Sequence, residues 1–286
     1  MTQEALGPWE RRYVAVVAAF TGYVAFWGLL FPGGLGRPVP GFAKDFSHAL
    51  PFVLTIPPLH ARFIGALYLA ATLILLLALG KGRPWREQRV CVWMILVWTA
   101  ALELISLLEP DLFAWDRRPL RPLVAWWLAY TWFPLQAAWI LWRRRDRPLA
   151  APLPAAVDDT PVLRLCLQLL AATCLVLAAL LFLAPQTGAA LWPWQLPPVL
   201  ARVYSGPFLS LGIGALVAAR ARGWRERSGF VLSTLSFALV TLAASLWHRQ
   251  LFSLDRPSSW FWFGGLALAA AALLAWGLIP ARRAAS

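Results

Sequence analysis

Charged residues are scarce in this chain of 286 amino acids: only 14% are Asp, Glu, Lys or Arg, against about a quarter in a soluble domain. Acidic residues are fewest, with 13 Asp and Glu against 26 Lys and Arg, so the formal net charge is +13. Hydrophobic residues make up 60% of the chain. This composition excludes an ordinary cytosolic enzyme and a disordered chain.

Cysteine and histidine are also rare, with three residues of each. Cys91, Cys166 and Cys174 lie in apolar segments without a CxxC pair, which excludes a secreted disulfide scaffold. No apolar segment has a central His or Lys, so the axial ligand of haem and the Schiff-base lysine of retinal are both missing. Metalloprotease, hydrolase and Walker motifs are absent as well, and we predict no cofactor and no metal site.

The dominant feature of the sequence is a series of long apolar runs, and the mean hydropathy is +0.63. About 20 apolar residues are needed to cross a bilayer as a helix. Eight runs qualify: 13–31, 60–80, 90–108, 123–142, 163–184, 202–219, 230–247 and 260–279. Ser205, Gly206 and Pro207 interrupt the start of the sixth run, which is the weakest. Because backbone groups must pair internally in lipid, we predict an all-α integral membrane protein with eight transmembrane helices.

Basic residues predict the orientation of these spans. Most of the 26 Lys and Arg residues lie near the two termini or in the even-numbered loops, and nearly all are arginine. The positive-inside rule then predicts a multi-pass protein of the cell membrane with cytoplasmic N- and C-termini. Many of the 18 tryptophans fall near the ends of the runs, as expected for residues that anchor a helix at the lipid interface. The basic clusters contain no nucleic-acid module, so the expected partners are the lipid bilayer, anionic lipid and a possible membrane-complex partner.

Three motifs of the first half return in the second half at an offset of 139 or 140 residues. The matching segments are 56–62 and 196–202, 81–87 and 220–226, and 112–117 and 251–256. Three matches in the same order predict a tandem duplication of a four-helix unit. An even number of spans inserts both units with the same orientation, which predicts a parallel pseudo-two-fold axis along the membrane normal.

The duplication predicts a division into two membrane units and a connection. We expect the first four-helix repeat at 1–145, a cytoplasmic linker at 146–162 and the second repeat at 163–286. The outer loop of the first half is the longer one, and its segment 41–50 is predicted to form a short helix at the lipid interface.

Arg62 and Arg202 end the repeated motif Pro-Pro-x-x-Ala-Arg, at the outer start of the second span of each half. One interpretation is structural: proline starts the helix and the arginine side chain reaches to the headgroups. The other is a binding site, because a guanidinium binds carboxylate or phosphate.

Asp116-Arg117 and Asp255-Arg256 precede the fourth span of each half. We predict that each Asp caps this helix and forms a salt bridge to the arginine of the second span. Contact of these four residues with a ligand is the alternative.

Glu103 is the one acidic residue well inside a predicted span, and its repeat partner is Leu242. A carboxylate at this depth is expensive, so it should be paired or protonated. A salt bridge to Arg62 or Arg202 and a proton-binding role remain open.

These residues support a polytopic, non-enzymatic protein of the inner membrane that binds or moves a small or lipidic, possibly anionic, ligand from the outer side. One alternative is a membrane-embedded enzyme acting on a lipid headgroup, with Glu103 as acid/base and Arg62 and Arg117 holding phosphate. Another is a structural subunit of a membrane complex. Transport would require broken helices, for which Pro134 and Gly206-Pro207 are the candidates.

Overall fold

The computed structural model of the chain describes residues 5–33, 50–116, 120–145, 161–221 and 223–284. In these residues all regular structure is helical, apart from an isolated bridge between Phe52 and Phe113. The α-helices are α1 Pro8–Leu30, α2 Pro58–Ala78, α3 Trp85–Leu108, α4 Arg121–Arg143, α5 Pro161–Leu183, α6 Pro185–Leu191, α7 Pro198–Ala219, α8 Trp224–Trp247 and α9 Pro257–Ala284. The predicted all-α class is therefore confirmed.

Seven of the long helices are apolar enough to cross a bilayer, namely α1, α2, α3, α5, α7, α8 and α9. The predicted run 123–142 also forms a helix, α4, which has 23 residues. It is not in this group because its tryptophans, Tyr130 and Gln136 carry polar groups that lower its mean hydropathy. A multi-pass helical architecture with seven candidate crossings is thus supported.

Prolines begin many of the helices, as at Pro58 of α2 and Pro198 of α7. Proline suits this position because its ring presets the helical φ and the missing N–H would lack a partner anyway. Pro134 and Pro207, however, lie inside α4 and α7, and both helices continue through them. The expected interruption at residues 205–207 does not occur.

The two halves of the chain are joined by an exchange of contacts between their middle helices. Within the halves, α1 packs along α2 and α5 along α7, while α3 packs along α4 and α8 along α9. Between the halves, α2 packs on α8 and α7 packs on α3. The second long helix of each half therefore contacts the third long helix of the other.

Glycines allow the closest approach between α1 and α2. A Cβ atom on Gly28 would lie 2.6 Å from the carbonyl oxygen of Ala61 and 2.9 Å from the Cα of Gly65. These are backbone atoms and have little freedom to move. Packing between these helices thus depends on small residues, as is common between helices in membranes.

The bundle has two ends that can be told apart by their contacts. At one, which we call the Arg62 end, His60 near the start of α2 hydrogen bonds with Tyr204 of α7, so Arg62 and Arg202 lie at the same end. At the other, the Arg86 end, Arg86 of α3 pairs with Glu226 of α8 at 2.9 Å.

A reciprocal ion pair also lies at the Arg86 end, where Arg225 of α8 contacts Glu87 of α3 at 3.1 Å. The first turn of α1 belongs to this end too, because Glu10 accepts a hydrogen bond of 2.9 Å from Nε of Arg144, directly after α4.

Some predicted elements fall on parts of the chain that lie outside the described residues. These are most of the linker 146–162 and most of the short helix at 41–50. In the second half, the seven-residue helix α6 occupies a stretch that the sequence analysis treated as loop.

Candidate functional site at the Arg62 end

Arg62 and Arg202 lie one turn inside the starts of α2 and α7 and reach across to the other half of the chain. Each guanidinium contacts the residue that directly follows a helix of the opposite half: His248 after α8 for Arg62, and Glu109 after α3 for Arg202. His248 and Glu109 are themselves separated by the repeat offset of 139 residues. The two contacts are therefore equivalent in position but different in chemistry.

Arg202 is neutralised by a carboxylate. Its guanidinium forms an ion pair with Glu109 and also donates a hydrogen bond of 3.4 Å to the backbone carbonyl of Phe182 at the end of α5. Both side chains are about a quarter exposed, at 27% each. This pair joins the ends of three helices and leaves no net charge.

Arg62 has no carboxylate partner among the described residues. It donates a hydrogen bond to Nε2 of His248 and lies over the ring of Trp247, with 5.2 Å between Cζ and the ring centroid. Because a guanidinium can only donate, Nε2 of His248 accepts and the imidazole is neutral. Burial, followed by the positive charge of Arg62, lowers the pKa of His248 and favours this neutral form.

A buried histidine between the two arginines joins α2 to α7. Nε2 of His60 donates to the backbone carbonyl of Gln195 at 2.9 Å, so Nδ1 accepts from the hydroxyl of Tyr204 at 2.7 Å. Trp194 packs edge-on against the His60 ring, with centroids 5.9 Å apart. The polar groups of His60 are therefore satisfied by the protein itself, and it serves as a link between the halves.

This histidine link was missed by the sequence analysis, which counted His60 only as a residue near the outer boundary. The repeat gives no signal for it, because Leu200 stands at the corresponding place in the second half. Its partners Gln195 and Tyr204 are 135 and 144 residues away along the chain.

Glu103 does not form the predicted salt bridge with an arginine. Its Oε1 accepts a hydrogen bond of 3.0 Å from Thr131 of α4, and its Oε2 is buried without a hydrogen-bond partner in the described part of the chain. The contact of Glu103 therefore lies within the first half, between α3 and α4, whereas Arg62 and Arg202 use partners in the opposite half.

The predicted bridges from the aspartates to the arginines are wrong, since Glu109 and His248 take those places. Asp116 and Asp255 are exposed and form no ion pair within the described ranges. Asp116 does not cap α4 either, because Leu120 is the residue before that helix. Asp255 likewise lies one position too early, because α9 begins at Pro257.

The remaining two candidates, Arg117 and Arg256, are separated in what can be said of them. Arg117 lies outside the described residues. Arg256 is exposed and lines an open groove at the Arg62 end together with Trp194, Gln195 and Ser253. The seven predicted residues thus do not form one cluster, and Arg62 and Arg202 are related only by their equivalent positions.

The arrangement around Arg62 has the chemistry of an anion site. A half-buried guanidinium without a carboxylate retains its full positive charge and has further N–H groups available to bind phosphate or carboxylate oxygens. Comparison of the chain with protein-family models, with curated proteins and with solved structures found no match.

Proposed function

We propose that this protein is a non-enzymatic, polytopic membrane protein that binds a small or lipidic anion at Arg62. The observation that carries the proposal is the difference between two equivalent arginines: Arg202 is neutralised by Glu109, whereas Arg62 faces the neutral His248. Removing a positive charge from water is expensive unless an anion compensates it. Arg62 has kept the charge and lacks the internal anion, which leaves this role to a ligand.

The two halves act in this proposal as tandem four-helix repeats related by a pseudo-two-fold axis along the membrane normal. Reciprocal contacts support it: Arg86 binds Glu226 and Arg225 binds Glu87, and these residues match at the repeat offset. Self-complementary pairs of this kind are what a two-fold interface produces.

Tryptophan hydrogen bonds repeat as well. Trp126 donates to Ser106 and Trp262 donates to Ser245, each at 2.9 Å.

The helix α4 would then be the eighth crossing, equivalent to α9. Its 23 residues give a length of about 35 Å at 1.5 Å per residue, enough for the hydrocarbon core. Leu128 and Leu135 on its outer face are more than 60% exposed, as suits contact with lipid.

The arginine-rich Arg86 end faces the cytoplasm in this proposal, and the Arg62 end faces the outside of the cell membrane. The support is the concentration of basic residues in the loops and termini at the Arg86 end, which the positive-inside rule places in the cytoplasm. Both chain termini are then cytoplasmic, and the ligand reaches Arg62 from the extracytoplasmic side.

The test is binding of phosphate-bearing anions to the full-length protein in nanodiscs of phosphatidylcholine. In one arm, inorganic phosphate is titrated from solution; in the other, phosphatidylglycerol replaces part of the lipid. Binding is read as a rise in the thermal unfolding midpoint, because a ligand of the native state stabilises it. The first arm reports a small anion and the second a lipid headgroup.

The repeat supplies matched variants for this test. Arg62→Gln removes the charge, and His248→Glu places beside Arg62 the carboxylate that Arg202 already has. We expect both to abolish the rise in midpoint, while Arg202→Gln retains it. No rise in either arm for the parent protein, or an equal rise in the Arg62→Gln variant, would refute the proposal.

A further inference from the structure

We propose a second binding site, separate from the anion at Arg62: a cavity within the first four helices that takes a small neutral molecule with an apolar body and one hydrogen-bond acceptor oxygen. The cavity encloses about 460 Å³ of empty space, including the space at its mouth. This is within the range of small-molecule sites. Its walls come from α1, α2, α3 and α4: Val17, Phe20, Thr21, Tyr68, Ala71, Ile74, Leu75, Cys91, Met94, Ile95, Trp98, Thr99, Tyr130 and Phe133.

The lining contains no Asp, Glu, Lys, Arg or His side chain. An ion placed there would lose its hydration without gaining a counter-charge, so the cavity selects against charged ligands. Most of the lining is aliphatic or aromatic and suits an apolar body. The occupant is therefore a neutral molecule, unlike the anion proposed at Arg62.

Most polar groups in the lining are already paired with backbone carbonyls. Thr21 donates to Ala18 at 3.1 Å and Thr99 donates to Ile95 at 2.6 Å. Trp98 differs, because its Nε1–H is buried and has no acceptor in the described part of the chain. An indole N–H can only donate, so this group requires an acceptor from outside the protein.

A second unsatisfied donor comes from the hydroxyl pair of Tyr68 and Tyr130. The two hydroxyls hydrogen bond to each other, and both side chains are buried. The pair has two hydrogens, and their mutual bond uses one. Trp98 is adjacent, with its ring centroid 5.0 Å from that of Tyr68. The cavity wall thus offers two donors side by side and no matching acceptor, which is suited to a carbonyl oxygen.

The second half of the chain has removed these features. At the repeat offset, Tyr68 corresponds to Phe208, Cys91 to Phe230 and Trp98 to Phe237. Phenylalanine has no hydrogen to donate, and the larger ring of Phe230 fills space that Cys91 leaves open. An alternative that needs no donors and less space therefore exists in the same chain, and the first half does not use it.

The experiment compares a ketone with a hydrocarbon of the same shape. Acetophenone and α-methylstyrene differ only in an oxygen that is replaced by CH₂. Each is titrated against the full-length protein in phosphatidylcholine nanodiscs, and the apparent Kd is obtained from the rise in the unfolding midpoint. Because the hydrocarbon partitions more strongly into lipid, each probe is compared between variant and parent.

We expect Trp98→Phe to weaken acetophenone binding about fivefold, since one neutral hydrogen bond is lost. A double variant, Tyr68→Phe with Tyr130→Phe, is expected to have a similar effect, and neither should change the Kd of α-methylstyrene. The control is Trp192→Phe, which removes a buried unpaired N–H that does not line the cavity.

Equal affinity of acetophenone for all four proteins, or failure of both probes to bind, would overturn the proposal and indicate that water fills the cavity. Both outcomes are independent of phosphate binding at Arg62, which is measured separately.

Discussion

The contact between α1 and α2 gives the most direct test of the packing. We expect Gly28→Ala to destabilise the protein, because the new Cβ would lie 2.6 Å from the carbonyl oxygen of Ala61. Forcing extra volume into a packed site costs about 1 to 3 kcal/mol. Alanine in place of glycine within a helix returns about 0.5 to 1 kcal/mol. The net expected loss is therefore about 1 to 2 kcal/mol.

Gly22→Ala is the matched control on the same helix. Its Cβ would lie 3.6 Å from Cγ2 of Thr72, an ordinary contact, so we expect only the helix gain. The difference between the two variants isolates the cost of the clash, about 1 to 3 kcal/mol. The free energy of unfolding is measured in mixed micelles with increasing SDS. If Gly28→Ala proved as stable as Gly22→Ala, the close approach of α1 and α2 would be refuted.

Two further predictions concern ionic contacts at the ends of the bundle. Arg144→Met leaves the Glu10 carboxylate, whose side chain is 6% exposed, without its partner, and should cost about 3 to 5 kcal/mol of unfolding free energy; a loss no larger than that of the exposed neighbour variant Arg143→Met would contradict this. Because the folded-state pKa of His248 is lowered, the unfolded chain binds a proton first as the pH falls. Stability should therefore be complete above pH about 6.5 and fall as the pH drops through the folded pKa; an unchanged pH profile of thermal unfolding in His248→Gln would disprove this.

The sequence analysis was most successful where structure follows from local composition. The helix around Trp85 and the one around Trp224 were both predicted, because a long apolar segment in lipid has no alternative to internal backbone pairing. The position of the proline-led helix starts at Pro58 and Pro198 also agrees with the structure. The interruption expected at Pro207 was wrong, since neighbouring helices hold a transmembrane helix together through a proline.

The candidate site was predicted less well because its contacts join distant parts of the chain. Arg62 and Arg202 were chosen correctly as a related pair of positions, but their partners were assigned to the nearest motif with an Asp. The actual partners are 186 and 93 residues away. Only the packing of α2 on α8 and of α7 on α3 brings them together.

What the sequence determined alone was the solvent in which this chain folds: with 60% hydrophobic residues and long apolar runs, it forms helices that cross a membrane several times. The tertiary structure decided which charges meet. It gave Arg202 a carboxylate and Arg62 a neutral imidazole, although the two arginines end the same motif. The physical reason is that helix formation depends on neighbouring residues, whereas the pairing of a charge depends on which helix ends the packing brings within a few ångströms.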